Sequence, residues 1–361
     1  MVVKLLRTIA VVYVYYPHMW LIRCLGPRVV TLLNRPLTWL MWLTTFLGAQ
    51  KRTRANIKAL SSEFSCRPGA GAILFRQLLN KVQNFTEWYG YPTRRGRDFV
   101  DQTYEQIEGH EHLDAALAEG RGVILLVYHF GMVRMSMLKL ASLGYQITEH
   151  VARATTYSGK TFNWAAQAAR ARSAEMDQNT PLEHFYHRPL KSFVILYRHL
   201  RSGKILVMNG DGMTGDEFVS VPFLGGTMGL PAGPALLAAH SGALVVPVFS
   251  HYEGLFRHRI VISPAREVAD KSKEAIEAAT VDFAGLLEEN VRRRPWEWWT
   301  WRRLRLERSD DNTLKIEIQA LPTSEPLEPV SGRKKISRPE RDGTEPTDQP
   351  RDSSDTAKPV C

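Results

Sequence analysis

Gly120-Arg-Gly-Val-Ile-Leu-Leu-Val-Tyr-His129, followed by Phe130-Gly131-Met132-Val133-Arg134, is the stretch that decides the fold. From Val123 to Tyr128 no residue is charged, and the run is entered through two glycines. An unbroken apolar run of that length reads as a strand buried on both faces, the kind found inside a parallel sheet. Met132 to Leu143 then carries apolar residues at helical spacing, with Gly144 as its C-cap. His129 therefore falls at the C-terminal end of a strand, before a tight turn and a helix. Open α/β sheets place their ligand crevices there.

The same alternation continues outward. Tyr145 to Val151 and Lys204 to Asn209 read as strands, the second broken by Gly210-Asp211-Gly212. Ala243 to Phe249 and Arg259 to Ile262 read likewise. Asn163 to Ala174, Leu190 to Arg201, Pro231 to His240 and Lys271 to Arg294 read as helices, the third with a proline in its first turn and Gly242 past its end. Strands alternating with helices predict an α/β domain over residues 51–308, a largely parallel sheet flanked by helices. From Ser309 onward Pro, Ser, Thr, Asp and Arg dominate, so 309–361 is expected to be a disordered tail.

Charge is unevenly spread. The net +10 divides into +13 over residues 1–308 and −3 over the remainder. The first acidic residue is Glu63, and nine bases precede it, from Lys4 to Lys58. Apolar runs lie between those bases: Thr8 to Tyr16, then Pro36 to Gly48 with Trp39, Trp42 and Phe46. Such a segment suits an anionic membrane surface. Residues 1–50 are thus expected to be membrane-associating helices, monotopic or at most a single marginal span, the rival being two core helices. No nucleic-acid-binding signature accompanies the bases, and no small-residue cleavage site follows the first run. Cys24, Cys66 and Cys361 are too scattered for a disulfide framework or a metal site.

Acyl transfer from a thioester to a hydroxyl needs a base for the hydroxyl proton, and imidazole suits that task near neutral pH. It also needs donors for the oxyanion, which backbone N–H groups at the start of a helix can supply. Between Arg52 and Arg303 the chain resembles the late acyltransferases of lipid A biosynthesis, within the lysophospholipid acyltransferase superfamily. The matched stretches are Gly109 to Leu126, His129-Phe130-Gly131, Arg153 after the next strand, Leu200 to Asp211, Phe218 to Gly226 with Gly233 to Phe249, and Pro295-Trp-Glu-Trp-Trp299. The resemblance implies a glycerolipid-acyltransferase-like domain with His129 as general base and Gly131 and Arg153 on the substrate. It implies an acyl-ACP or acyl-CoA donor, a glycolipid or phospholipid-like acceptor, no metal or redox cofactor, and a place on the cytoplasmic face of the inner membrane.

One position departs from the family. Five residues after its His the family carries Asp or Glu, which orients the imidazole; here stands Arg134. A cation cannot accept the ring N–H and disfavours the imidazolium. Asp211 is the preferred substitute, since neighbouring parallel strands bring their C-terminal ends together, and Glu149 is the second choice. Arg134 is then a candidate to bind a phosphate or carboxylate of the acceptor as a bidentate clamp. A carboxylate against His129 would favour an enzyme; a guanidinium stacked into the cleft would favour a non-catalytic lipid-binding relative. A thioesterase-like hydrolase is a third possibility. His110 with His112 and His184 with His187 lack the further ligands of a metal site. Trp296, Trp298, Trp299 and Trp301, interleaved with arginines, are divided between core packing and contact with lipid headgroups.

Overall fold

The computed structural model describes Leu5, Thr8, Ile9 and residues 12–43, 50–66, 68–151, 162–186, 192–213, 217–309 and 312–319. Its strands are β1 (Gln106–Glu108), β2 (Val123–Val127), β3 (Ile147–Val151), β4 (Glu183–Tyr186), β5 (Ile205–Asn209), β6 (Phe218–Phe223), β7 (Gly226–Pro231), β8 (Leu244–Gly254), β9 (Arg257–Ile262), β10 (Leu304–Arg308) and β11 (Leu314–Ile318). Seven form one sheet in the order β1-β9-β8-β2-β5-β3-β4. From β8 to β4 every neighbouring pair is parallel. β9 returns antiparallel to β8, and β1 lies parallel to β9.

The apolar run that suggested a central strand is central: no residue of β2 exceeds 1% exposure. Alternate side chains serve two cores, because successive residues of a strand point to opposite faces. Ile124 and Leu126 pack with Leu196, Leu237 and Phe283, from the helices Ser192–Arg201, Gly233–Ser241 and Lys273–Arg293. Val123, Leu125 and Val127 pack with Leu113, Met135 and Met176, from His110–Ala118, Val133–Ser142 and Asn163–Gln178. Helices therefore cover both faces, as the alternation implied.

Two expectations are corrected. Pro231 closes β7 instead of opening a helix, which starts at Gly233 with Pro234 in its first turn. The boundary at 308/309 falls inside a hairpin: β11 pairs antiparallel with β10 and parallel with β7, forming a second sheet in the order β10-β11-β7-β6. Leu314-Lys-Ile-Glu-Ile318 alternates apolar and polar, and Ile316 and Ile318 are buried. Averaged over a polar tail, that period-2 signal is lost. Residues 320–361 lie outside those described.

The N-terminal helices turn polar groups inward and apolar groups outward. In Pro27–Leu43, Thr31, Asn34 and Thr38 are fully buried, whereas Leu32, Leu33 and Trp39 are about half exposed. The buried groups bond to the helix Ala70–Gly90: Asn34 Nδ2 donates to Gln83 Oε1 at 2.8 Å, and Gln83 Nε2 donates to Thr31 Oγ1 at 3.2 Å. His18 Nε2 lies 3.0 Å from Thr86 Oγ1, and burial pulls the imidazole down to about 4. Tyr15, Met19, Ile22 and Val30 are buried as well, so these helices are in part core helices. Among the described residues no helix is long and apolar enough to cross a membrane, which leaves the single-span option without support there.

Candidate active site

Register brings the two candidate residues together. β2 and β5 are parallel neighbours with Val127 opposite Asn209, so His129 and Asp211 both stand two residues beyond the paired ends. The chain crosses over closely here: Gly210 N donates to Val127 O at 2.8 Å, and a Cβ on Gly210 would press into the Tyr128 ring.

Asp211 is completely buried and its carboxylate meets four donors. Oδ1 accepts from the His129 backbone N–H at 2.9 Å and lies 2.8 Å from His129 Nδ1. Oδ2 accepts from Trp298 Nε1 at 3.0 Å and Thr300 Oγ1 at 3.1 Å. Burial works against ionisation, but the His129 charge and these hydrogen bonds outweigh it and hold the group at about 2. Asp211 is thus a carboxylate at any physiological pH. It favours the Nδ1–H tautomer of His129 and leaves Nε2 for a substrate. The His129 side chain is 38% exposed.

The turn after His129 is fixed from the C-terminal segment. Gly131 takes a φ of +58°, and a Cβ there would run into the Ser250 carbonyl oxygen. Its N–H donates to Glu297 O at 2.8 Å, and Trp299 N donates to His129 O at 2.8 Å. The Gly131 amide is therefore committed and is no free oxyanion donor. The first-turn amides of Val133–Ser142 are the backbone donors that no intrahelical acceptor satisfies. Glu297 is itself buried, with Oε2 2.9 Å from His251 Nδ1 and Oε1 3.2 Å from the Arg294 guanidinium.

Arg134 is half-buried, its Cζ 3.8 Å from the centroid of the buried Trp88 ring, a cation–π contact. Glu149 does not serve His129: it sits on β3 with Oε2 3.3 Å from His184 Nε2 on β4. Arg153 and His187 lie outside the described residues. In the tryptophan cluster Trp298 and Trp301 are wholly buried, as core packing requires, and Trp296 and Trp299 are half-buried. Trp298 and Thr300 as donors to Asp211 were not foreseen; aromatic crowding was the visible signal, but it pointed to no particular carboxylate.

A family model for bacterial lipid A biosynthesis acyltransferases matches residues 3–307. The chain belongs to that family. Two curated relatives, phosphatidylinositol mannoside acyltransferases from two strains of Mycobacterium tuberculosis, are each 27% identical over 218 residues, 59% of this chain. The matched region spans 63% of those relatives' own length. The match to the lipid A acyltransferase family takes in both sheets up to β10, and with them every residue of the site just described.

Proposed function

We propose that the protein transfers a fatty acyl group from an acyl thioester, acyl-ACP or acyl-CoA, to a hydroxyl of a glycolipid or phospholipid-like acceptor at the membrane surface. The observation that carries this reading is the exposed His129 ring held at Nδ1 by the buried Asp211 carboxylate. Neutral His129 Nε2 takes the acceptor proton as the oxygen attacks the thioester carbon. The tetrahedral oxyanion collapses with cleavage of the carbon–sulfur bond, and the imidazolium returns the proton to the departing thiolate. Asp211 stays ionised throughout and stabilises the imidazolium. Ester and free thiol are the products. The lipid A acyltransferase family and the glycolipid named for the mycobacterial relatives support a glycolipid acceptor.

The outward apolar face of Pro27–Leu43, together with exposed Tyr16, Trp20 and Leu25, supports monotopic seating on the cytoplasmic leaflet of the inner membrane. Because the same helices carry a buried polar seam, removing residues 1–50 would strip core contacts along with any anchor. Replacing Leu32 and Leu33 by Gln tests anchoring without touching that seam.

One observation favours a second reading, a non-catalytic lipid-binding relative: Arg134 stands where the family's acid does and stacks on Trp88. Asp211 already fills the acid's place beside His129, and the stack holds the guanidinium against Trp88, so transfer is the better account. The deciding test is His129→Ala, assayed for acyl transfer from acyl-ACP and acyl-CoA to a panel of glycolipids. Turnover is expected to fall roughly 10²–10⁴-fold with membrane association retained. Activity within a few-fold of the natural protein overturns the assignment.

A further inference from the structure

A cavity of about 640 Å³ opens beside the dyad's supporting segment, between the helix Pro27–Leu43, the helix Ala70–Gly90 and the turn that joins β8 to β9. Trp39, Phe75, Leu79 and Trp296 give it an apolar lining, and Arg35 and Arg76 stand exposed in its wall. Glu253 also faces it, but that carboxylate is taken up by Arg294 at 2.9 Å and Arg259 at 3.0 Å. The positive charge of the cavity is therefore left to Arg35 and Arg76, the latter with its Cζ 4.6 Å from the Trp296 ring centroid.

Deeper in, Asn80 lines the same cavity at 1% exposure, and its Nδ2 has no hydrogen-bond partner among the described residues. An unpaired buried amide destabilises a fold that has no use for it. A leucine at this point of an apolar wall would cost less, so the amide is matched to a ligand oxygen. A donor within an apolar chamber under two guanidinium groups describes an amphiphile: chain, carbonyl and anion. Trp39, which lines the cavity, is half exposed and lies on the same helix as the half-exposed Leu32 and Leu33.

We propose that this cavity binds a phosphate-bearing acyl lipid, with the chain against Trp39, Phe75 and Leu79, an ester carbonyl on Asn80 Nδ2, and the phosphate between Arg35 and Arg76. Taking that lipid as the acceptor rests on the transfer reaction proposed above; the binding itself does not. The link to the dyad is Glu297, which follows Trp296 in the cavity wall, holds the backbone N–H of Tyr252 at 3.1 Å, and receives the Gly131 N–H.

The test uses the purified full chain and calorimetric titration with dioctanoyl phosphatidic acid, dioctanoylglycerol and an acyl-phosphopantetheine. The phosphatidic acid should bind about tenfold tighter than the diacylglycerol or better, and Arg35→Ala with Arg76→Ala should abolish that preference. Asn80→Leu should raise the melting temperature of the ligand-free protein while weakening both lipids about five- to tenfold, a pairing that a merely structural asparagine would not produce. If Asn80→Leu does not fold, the paired arginine variant decides alone. Lipid affinities unchanged in these variants overturn the proposal. So does acyl-phosphopantetheine competing for the cavity with the same dependence on the variants, which would assign it to the acyl donor. His129→Ala should bind the lipids normally, so transfer retained by that variant with binding intact faults the dyad's role and leaves the cavity's standing.

Discussion

His129–Asp211 and His258–Glu87 are the same pair in chemical terms, an imidazole nitrogen 2.8 Å and 2.7 Å from a carboxylate oxygen. Their surroundings differ. His258 and Glu87 are both wholly buried, and Glu87 also accepts from Tyr104 Oη at 2.8 Å and Gln83 Nε2 at 2.6 Å. Burial and that carboxylate drive the Tyr104 phenol well above its ordinary range. At His129 only the carboxylate is sealed, and the ring is 38% exposed. A His–carboxylate contact is thus no sign of chemistry by itself. What makes a base is an imidazole with one nitrogen fixed and the other open to a reactant. The closed pair ties the N-terminal seam, through Gln83, to β9.

The sharpest way to break this contrast is to remove one charge from each pair. Asp211→Asn keeps the shape and loses the charge, and turnover should fall roughly 10²–10⁴-fold, read as kcat on protein whose circular dichroism is unchanged. Glu87→Gln should do the reverse: about 3–5 kcal/mol of stability lost in denaturant titration, with transfer per folded molecule within a few-fold of the natural protein. A Glu87 variant that is fully stable yet inactive would show that the two pairs are not divided in this way.

Arg134 comes next in size. If it clamps an acidic acceptor group, Arg134→Ala should weaken acceptor affinity by about 1.5–3 kcal/mol with little change in kcat. Arg134→Glu, which restores the family's acid at its usual spacing, should impair an active enzyme. No transfer to any acceptor by the natural protein, with gain in Arg134→Glu, would instead establish the lipid-binding reading.

The smallest effect is one of pH, and it separates a third histidine from the two pairs. His18 is buried beside Thr86 with its imidazole at about 4, below the ordinary 6.5. The unfolded chain therefore binds the extra proton first, so this contribution is complete above 6.5 and declines as pH falls through 4. The loss should come to about 1–2 kcal/mol between pH 6.5 and 5, read as a melting-temperature slope that His18→Gln flattens. Asp211 acts in a lower window. Its stabilisation, on the order of 2 kcal/mol, is complete above about 3.8 and is lost as pH falls through about 2. A slope unchanged in His18→Gln would place the acid sensitivity elsewhere.

The sequence alone determined the α/β alternation, the central place of Val123–Val127, and His129 at that strand's C-terminal edge. Those follow from local patterning: an apolar run needs burial on both faces, and glycines mark its ends. It also determined that Arg134 could not orient His129, since that depends on charge alone. Its choice of Asp211 over Glu149 anticipated strand adjacency, but only the pairing of β2 with β5 brings Asp211 within 2.8 Å of the ring, whereas Glu149 on β3 reaches His184. Strand order, the second sheet with β11 in it, and the inward polar seam of Pro27–Leu43 were likewise decided in three dimensions. The four donors on Asp211 come from positions 129, 298 and 300, and the amide that fixes Gly131 reaches across to Glu297. Contacts between residues so far apart leave no periodic trace in the chain, because they depend on which elements pack together and not on the pattern of any one of them.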